Sequence, residues 1–289
     1  MENPRCKESV TVYRPNQRHE LGYLETWLVM LRGLVGSREL IWQLFRRDFF
    51  VSYKKSFIGA AWVVLTPLGG ILVWVFLKHS GVLQPGEVGV PYPVYILIGS
   101  SVWGLFMGFY TAAANTLKDG QHLVQQVHYP HEIFLFVKSM LQIVNFFIAL
   151  ALNLLVLVFF GVVPGPAAFF FPLVALPLFL LGAGIGLFVS MISVIAFDLE
   201  KAFTTLMTLL IWSVPVIYSG RPANPLLQTI IAWNPLTYLV CSSRDILLFG
   251  RLYDPAAYAV SAVFALAVFL ISLRLFYVSE SELVERMHT

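Results

Sequence analysis

Charged side chains are scarce in this chain. Of its 289 residues only 12% are Asp, Glu, Lys or Arg while 58% are hydrophobic, a balance that excludes ordinary water-soluble packing and marks a polytopic membrane protein. Cysteine is nearly absent too: Cys6 and Cys241 are the two, and the expected topology puts them on opposite sides of the membrane. That excludes a disulfide framework and a cysteine metal site. Acidic groups are missing where a self-powered carrier needs them. Of the sixteen carboxylates, Asp245 alone falls at expected membrane depth, and proton- or sodium-coupled carriers rely on ionisable groups or unwound carbonyls there. His19, His79, His122, His128, His131 and His288 all lie outside the expected spans, which leaves no pair for an intramembrane Ser–His protease and no histidine metal site. No GxxxxGK[ST] sequence is present, so the chain has no ATPase of its own. If transport is driven, another polypeptide supplies the energy. The first thirty-odd residues are polar, with Arg5, Lys7, Arg14 and Arg18, and hold no apolar segment before a small-residue cleavage site; no cleaved signal peptide is expected.

What is present begins with residues 37–56. Ser37 can cap a helix on which Leu40, Ile41, Leu44, Phe45 and Phe49 share one side, while Arg46, Arg47, Lys54 and Lys55 are basic neighbours. Such a helix is expected to lie flat on a membrane, its apolar stripe in the acyl boundary and its basic groups among anionic head groups. Directly after it, residues 57–77 carry no charge and are long enough, at roughly 32 Å, to cross a bilayer. Further spans are expected at about 94–117, 133–163, 169–197, 202–218 and 256–277. The expected fold is an all-α membrane protein: six transmembrane helices, an N-terminal amphipathic interfacial helix, and two short re-entrant helices at 219–254 before the last span. A cytoplasmic segment, 1–36, precedes the interfacial helix, and a charged tail, 278–289, follows the six-span domain of 57–277. Fifteen of the nineteen Lys and Arg lie on the side of the termini, which assigns that side to the cytoplasm.

The expected spans are rich in aromatic and small residues. Trp62, Trp74 and Phe76, then Trp103, Phe106, Phe109 and Tyr110, and finally Trp212 and Tyr218 could offer ring faces on which sugar rings stack through their C–H groups. An aromatic in a span is as readily a lipid-facing anchor. Gly104 with Gly108, and Gly182, Gly184 and Gly186, allow close helix approach.

Three landmarks carry a resemblance. Arg46, Arg47 and Asp48 followed by Tyr53, Lys54, Lys55, Ser56, Gly59, Trp62 and Pro67 form the first; Tyr129 and Pro130 the second; Asn234, Pro235, Leu236 and Thr237 followed by Arg244 the third. Together they resemble the ABC-2 type polysaccharide-export permeases, over about residues 35–280. The resemblance implies a homodimer of six-span subunits in the bacterial inner membrane, each docked on a separate nucleotide-binding subunit that binds ATP and magnesium. The implied cargo is a lipid-linked glycan, closest to O-antigen, with capsule and teichoic-acid exporters as near relatives. It implies a coupling helix at about 117–132, which brings Asp119, His122, Gln125, Gln126, Tyr129, Pro130 and His131 to the ATPase; His131 stands where the family usually has arginine. Joined to the basic helix, it suggests that Arg46, Arg47, Lys54 and Lys55 hold the pyrophosphate of a polyprenyl carrier. The chain itself is expected to need no cofactor or metal and to bind membrane lipids but no nucleic acid. Rival readings are a membrane-embedded glycosyl- or acyltransferase, for which Asp198 and Glu200 are the available pair, and a channel or scaffold that works without ATP.

Overall fold

Backbone amides in hydrocarbon have no water to bond, so an apolar chain that crosses it folds into helices. The computed structural model describes residues 23–54, 62–118, 132–219 and 224–286, and every regular element among them is helical. In chain order these are α1 (Tyr23–Gly36), α2 (Arg38–Lys54), α3 (Trp62–His79), α4 (Tyr92–Ala114), α5 (Glu132–Phe159), α6 (Phe171–Ile195), α7 (Phe197–Leu209), α8 (Pro225–Trp233), α9 (Pro235–Leu248) and α10 (Pro255–Arg286). Short 3-10 turns occupy Pro166–Phe170 and Leu210–Ser213.

Among the described residues four stretches are long and apolar enough to cross a membrane: Tyr92–Ala114, Ile133–Phe159, Pro166–Val194 and Pro255–Ser279. They coincide with the second, third, fourth and sixth expected spans. The first and fifth expected spans are not among them. Helix α3 is described from Trp62 onward and its helical backbone continues through Pro67, Gly69 and Gly70. Helix α7 has 13 residues, a rise of about 20 Å, and falls short of the expected end at Tyr218. The chain leaves helical geometry after Ser213, with Val214 extended at φ −120° and ψ 135°. Pro215 is the cause, because it lacks an N–H for the ladder and drives the preceding residue out of helical geometry. Beyond the expected end of the last span, α10 continues into the charged tail as far as Arg286.

Three helices start on an Asx–Pro pair, the proline preset for the first turn and the Asx oxygen capping it. Asn224 Oδ1 accepts from the Leu226 amide at 2.9 Å, Asn234 Oδ1 from Leu236 at 3.0 Å, and Asp254 Oδ1 from both Ala256 and Ala257 at 3.1 Å.

Helix α6 is the centre of the bundle, with α4 along one side and α10 along the other, while α5 lies beside α4. Glycines permit this approach. A Cβ at Gly182 would stand 2.7 Å from the Phe106 carbonyl oxygen, and one at Gly186 would overlap the carbonyl of Tyr110. Gly184, on the opposite face of the same helix, lets the Phe269 backbone of α10 come as close as 2.9 Å to where a Cβ would be. Between apolar helices in lipid, such close fit and the dispersion it brings replace the transfer from water that drives soluble cores.

Helix α2 does not present its apolar stripe to lipid. Ile41 and Leu44 are buried against Ile133, Phe134 and Val137 of α5, with Leu40 and Phe45 partly covered in the same cluster. The start of α5 is itself apolar, so protein takes the place foreseen for acyl chains. The outward face is a different one: Trp42, 54% exposed, with Arg46, Arg47 and Phe50.

Candidate functional site

The segment that Pro215 drives out of helical geometry sets up a buried polar network that the described residues show in full. Residues 214–217 are buried in a non-helical turn, where Val216 N–H bonds the Val214 carbonyl at 2.7 Å and the other carbonyls need donors from elsewhere. Side chains from α4 and α9 supply them. Tyr92 donates its hydroxyl to the Ile217 carbonyl at 3.0 Å, and Tyr95 donates to the Tyr218 carbonyl at 2.9 Å. Arg244, only 3% exposed, donates from Nη1 to the Tyr95 hydroxyl at 2.6 Å and to the Pro215 carbonyl at 2.7 Å, and from Nε to Asp245 Oδ1 at 2.8 Å. Its guanidinium carbon also lies 4.2 Å from the centre of the Tyr95 ring, a cation–π contact in desolvated surroundings. Gly99 makes room for the strap, since a Cβ there would stand 2.7 Å from the Val216 carbonyl oxygen. Asn234 closes the knot, donating from Nδ2 to Ser213 Oγ at 3.1 Å while its Oδ1 caps α9.

Of the aromatics singled out in the sequence, the structure brings three together. Trp74 and Trp212 meet edge to face at 5.9 Å, and Tyr218 donates its hydroxyl to the Trp212 carbonyl at 2.8 Å. Phe76 stands apart on the open side of α3, 69% exposed. The α4 set is elsewhere: Trp103, Phe106, Phe109 and Tyr110 are buried within the helical bundle, Trp103 tilted on Phe106 at 5.2 Å and Phe109 stacked on Phe179 at 4.7 Å. Phe106, Phe109 and Tyr110 lie along the contact of α4 with α6. The side chain of Trp62 lies outside the described residues.

At the far end of α4 the polar contacts are looser. Arg46 and Arg47 are exposed on α2; Arg47 pairs with Asp48 at 2.8 Å, and Asp48 also reaches Lys138 of α5 at 3.5 Å. Lys118, just beyond α4, forms an ion pair with Glu200 of α7, and Tyr110 shares a hydrogen bond of 3.2 Å with Thr204. Asp198, the other half of the carboxylate pair considered for an enzyme, is exposed, while its companion Glu200 is engaged by Lys118. Lys54 is described in its backbone alone. Lys55 and the coupling residues Asp119, His122, Gln125, Gln126, Tyr129, Pro130 and His131 lie outside the described residues.

Residues 39–248, from the start of α2 to the end of α9, match the model of the ABC-2 type transporter family. The chain belongs to this family. Among similar ABC-2 relatives, the O-antigen export system permease protein RfbA of Myxococcus xanthus is 26% identical over 245 residues, 84% of this chain and 92% of that protein. A protein of the same name from Klebsiella pneumoniae is 22% identical over 237 residues, 81% of this chain and 85% of the relative. Within this ABC-2 chain the family stretch ends with the helix that carries Arg244, so the buried knot lies inside it.

Sequence reasoning names Asn234, Pro235 and Arg244 but misses what they hold. Tyr92, Tyr95 and the carbonyls of Pro215 and Ile217 come from stretches distant in the chain from Arg244 or from one another, and no local pattern reports their meeting. Asp245 does leave a signal. A lone carboxylate at expected membrane depth, next to an arginine, calls for pairing, and the two are paired.

Proposed function

We propose that this chain is the permease of an ABC exporter that moves a polyprenyl-pyrophosphate-linked O-antigen polysaccharide from cytoplasm to periplasm, powered by ATP hydrolysis in a separate subunit. What carries this is the extent of the likeness: relatives named as O-antigen export permeases align over more than four fifths of both chains. The absence of a phosphate-binding loop from a chain of this family fits a division of labour with an ATPase partner.

The working unit in this reading is a homodimer in the inner membrane with all termini cytoplasmic. Helices α3 and α7 serve as the first and fifth of six spans, and α8 and α9 as the re-entrant pair. Its seam would use the open faces of the two short spans, where Leu65, Leu72 and Phe76 of α3 and Leu199, Leu206 and Leu209 of α7 recur at helical spacing and stay exposed. The glycan passes between the copies along Trp74, Trp212, Tyr218 and Phe76. Its hydroxyls, each costing several kcal/mol if bare in lipid, then remain in water or on ring edges. Arg46 and Arg47, with Lys54 and Lys55, receive the carrier's pyrophosphate, while Trp42 and Phe50 on the same outward face of α2 enter the head-group layer.

Deletion of the gene should abolish surface polysaccharide and leave lipid-linked glycan on the cytoplasmic leaflet, with export restored by the wild-type chain together with its ATPase. Undiminished surface polysaccharide in the deletion strain, or export by the purified chain without ATP, rejects the proposal. For the head-group role, replacing Arg46, Arg47, Lys54 and Lys55 by Gln should cut binding of a polyprenyl-pyrophosphate probe at least tenfold while assembly persists. Equal binding rejects it.

A further inference from the structure

The knot at the start of α4 holds two rings as well as a stretch of backbone. A helix unbroken from Trp212 to Tyr218 would turn the second side chain about 120° away from the first. The break at Pro215 undoes that turn, and the Tyr218 hydroxyl comes back to the Trp212 carbonyl at 2.8 Å. Unwound backbone keeps one course only if groups outside it bind its polar atoms. Between the two rings nearly every second residue is bound in this way: Ser213 by Asn234, Pro215 by Arg244 and Ile217 by Tyr92. Tyr95 takes the carbonyl of Tyr218 itself.

The third ring is tied to the same strap from the other side. Trp74 meets Trp212 at 5.9 Å, and the linker that leaves α3 returns to the strap where the Ser219 amide donates to the Pro85 carbonyl at 2.7 Å. Gly86, at φ +76°, permits that contact, since a Cβ there would stand 2.6 Å from Ser219 Oγ. At the end of α3 the Lys78 amine lies 4.8 Å from the centre of the Tyr92 ring, whose hydroxyl holds Ile217. Helix α3, the start of α4, the strap and α9 thus carry the three rings as one piece.

We infer that Arg244, Tyr95 and Tyr92 are positioning residues for a sugar-binding subsite made of Trp74, Trp212 and Tyr218. The inference rests on the transport reading and deepens it: the rings form a seat, set before the cargo arrives, for the C–H face of a pyranose in the glycan. Each of the three positioning residues is 3% exposed, so none of them touches the cargo. They act through the carbonyls they hold. A seat already in place binds without first ordering its own side chains, and its affinity therefore follows the course of the strap.

The test uses the full chain assembled with its ATPase in lipid nanodiscs. The probe is the strain's own surface polysaccharide, freed of lipid by mild acid. W74A/W212A should lower its affinity about tenfold. Y95F keeps the ring beneath Arg244 but drops the hold on Tyr218, and should lower affinity about threefold. In export, the same variant should raise the apparent KM for lipid-linked glycan by a similar factor while kcat stays within about twofold. Gly186→Val is the control for stability. It disturbs α4 at Tyr110, about four turns from Tyr95, and should leave affinity within about 1.5-fold when each complex is measured equally far below its own thermal midpoint. Should Y95F fail to assemble, Gly86→Ala on the exposed linker presses on the strap from outside and should lower affinity about threefold.

Unchanged affinity in whichever of Y95F and G86A assembles overturns the inference. So does a fall in Gly186→Val as large as theirs, which would make the loss one of stability alone. A fall in kcat with KM unchanged overturns it too. If W74A/W212A binds the polysaccharide as well as the parent does, the rings are not its seat and the inference falls while the transport reading stands. If the parent complex exports no glycan, the transport reading fails and this inference with it.

Discussion

The two ends of α4 are fastened in opposite ways. At its start Tyr92 and Tyr95 sit in a buried network with Arg244, Asp245 and the carbonyls of Pro215, Ile217 and Tyr218. At its finish, Lys118 meets Glu200 and, nearby, Asp48 meets Lys138, in places that water reaches. The two kinds of contact differ widely in energy. Removing one partner from a buried, hydrogen-bonded ion pair costs about 3–5 kcal/mol, because the other charge is stranded, whereas a solvent-accessible pair is worth about 0–1 kcal/mol. The start of α4 is therefore built to stay together, and the finish is built so that contacts can be exchanged at little cost. A transporter needs both: a frame that does not yield and an end at which a small push is enough.

The sharpest way to break this contrast is at Arg244. Arg244→Ala should destabilise the protein by about 3–5 kcal/mol, seen as a large drop in thermal midpoint of the purified protein, since Asp245 loses its guanidinium partner and the Pro215 carbonyl keeps only the longer contact of 3.3 Å from the Tyr95 hydroxyl. A change below about 1 kcal/mol would mean that the network is not a frame. Arg244→Lys should recover only part of the loss, because an ammonium cannot reproduce the fork that reaches Tyr95, Pro215 and Asp245 together.

Next in size is Gly186→Val. It forces a side chain against the Tyr110 carbonyl and should cost about 1–3 kcal/mol, or separate α4 from α6 enough to raise amide exchange along both. Tyr95→Phe keeps the ring under the guanidinium but removes the hydroxyl that relays Arg244 to Tyr218, for an expected loss of about 1–3 kcal/mol. The smallest effect belongs to the other end: Lys138→Gln should change stability by no more than about 1 kcal/mol. If it rivalled Tyr95→Phe, the contrast between the two ends would fall.

Much of the helical plan is legible in the sequence. The apolar runs that become α4, α5, α6 and the first two thirds of α10, interrupted inside the candidate spans only by Lys138 and Arg274, announce themselves by length and composition, and Asn234–Pro235 marks the break between α8 and α9 because the pair caps and starts a helix at once. Legibility ends where the decisive contact is distant. The stripe Leu40, Ile41, Leu44, Phe45 and Phe49 is amphipathic whether it faces lipid or protein, and only the position of Ile133, Phe134 and Val137 decides between them. The rings of Phe106 and Tyr110 could equally have lined a path; their fate is settled by Gly182 and Gly186, some seventy-six positions further along the chain. Pro215 is a local clue of a different kind. A proline thirteen residues after Ala202 is enough to end a helix before it reaches Tyr218.

Arg244 lies nine positions beyond Pro235 on one helix, and Asn234 anchors the beginning of that helix to Ser213 while Arg244 anchors its far part to Pro215. Each residue added to an α-helix turns the remainder of the helix by about 100°. A single insertion or deletion between these two anchors would swing the guanidinium away from Tyr95 and Pro215 and onto another buried face of the helix. The length of this interval is thus fixed by its two anchors, and the spacing from asparagine to arginine is a ruler that any chain built on the same knot has to keep.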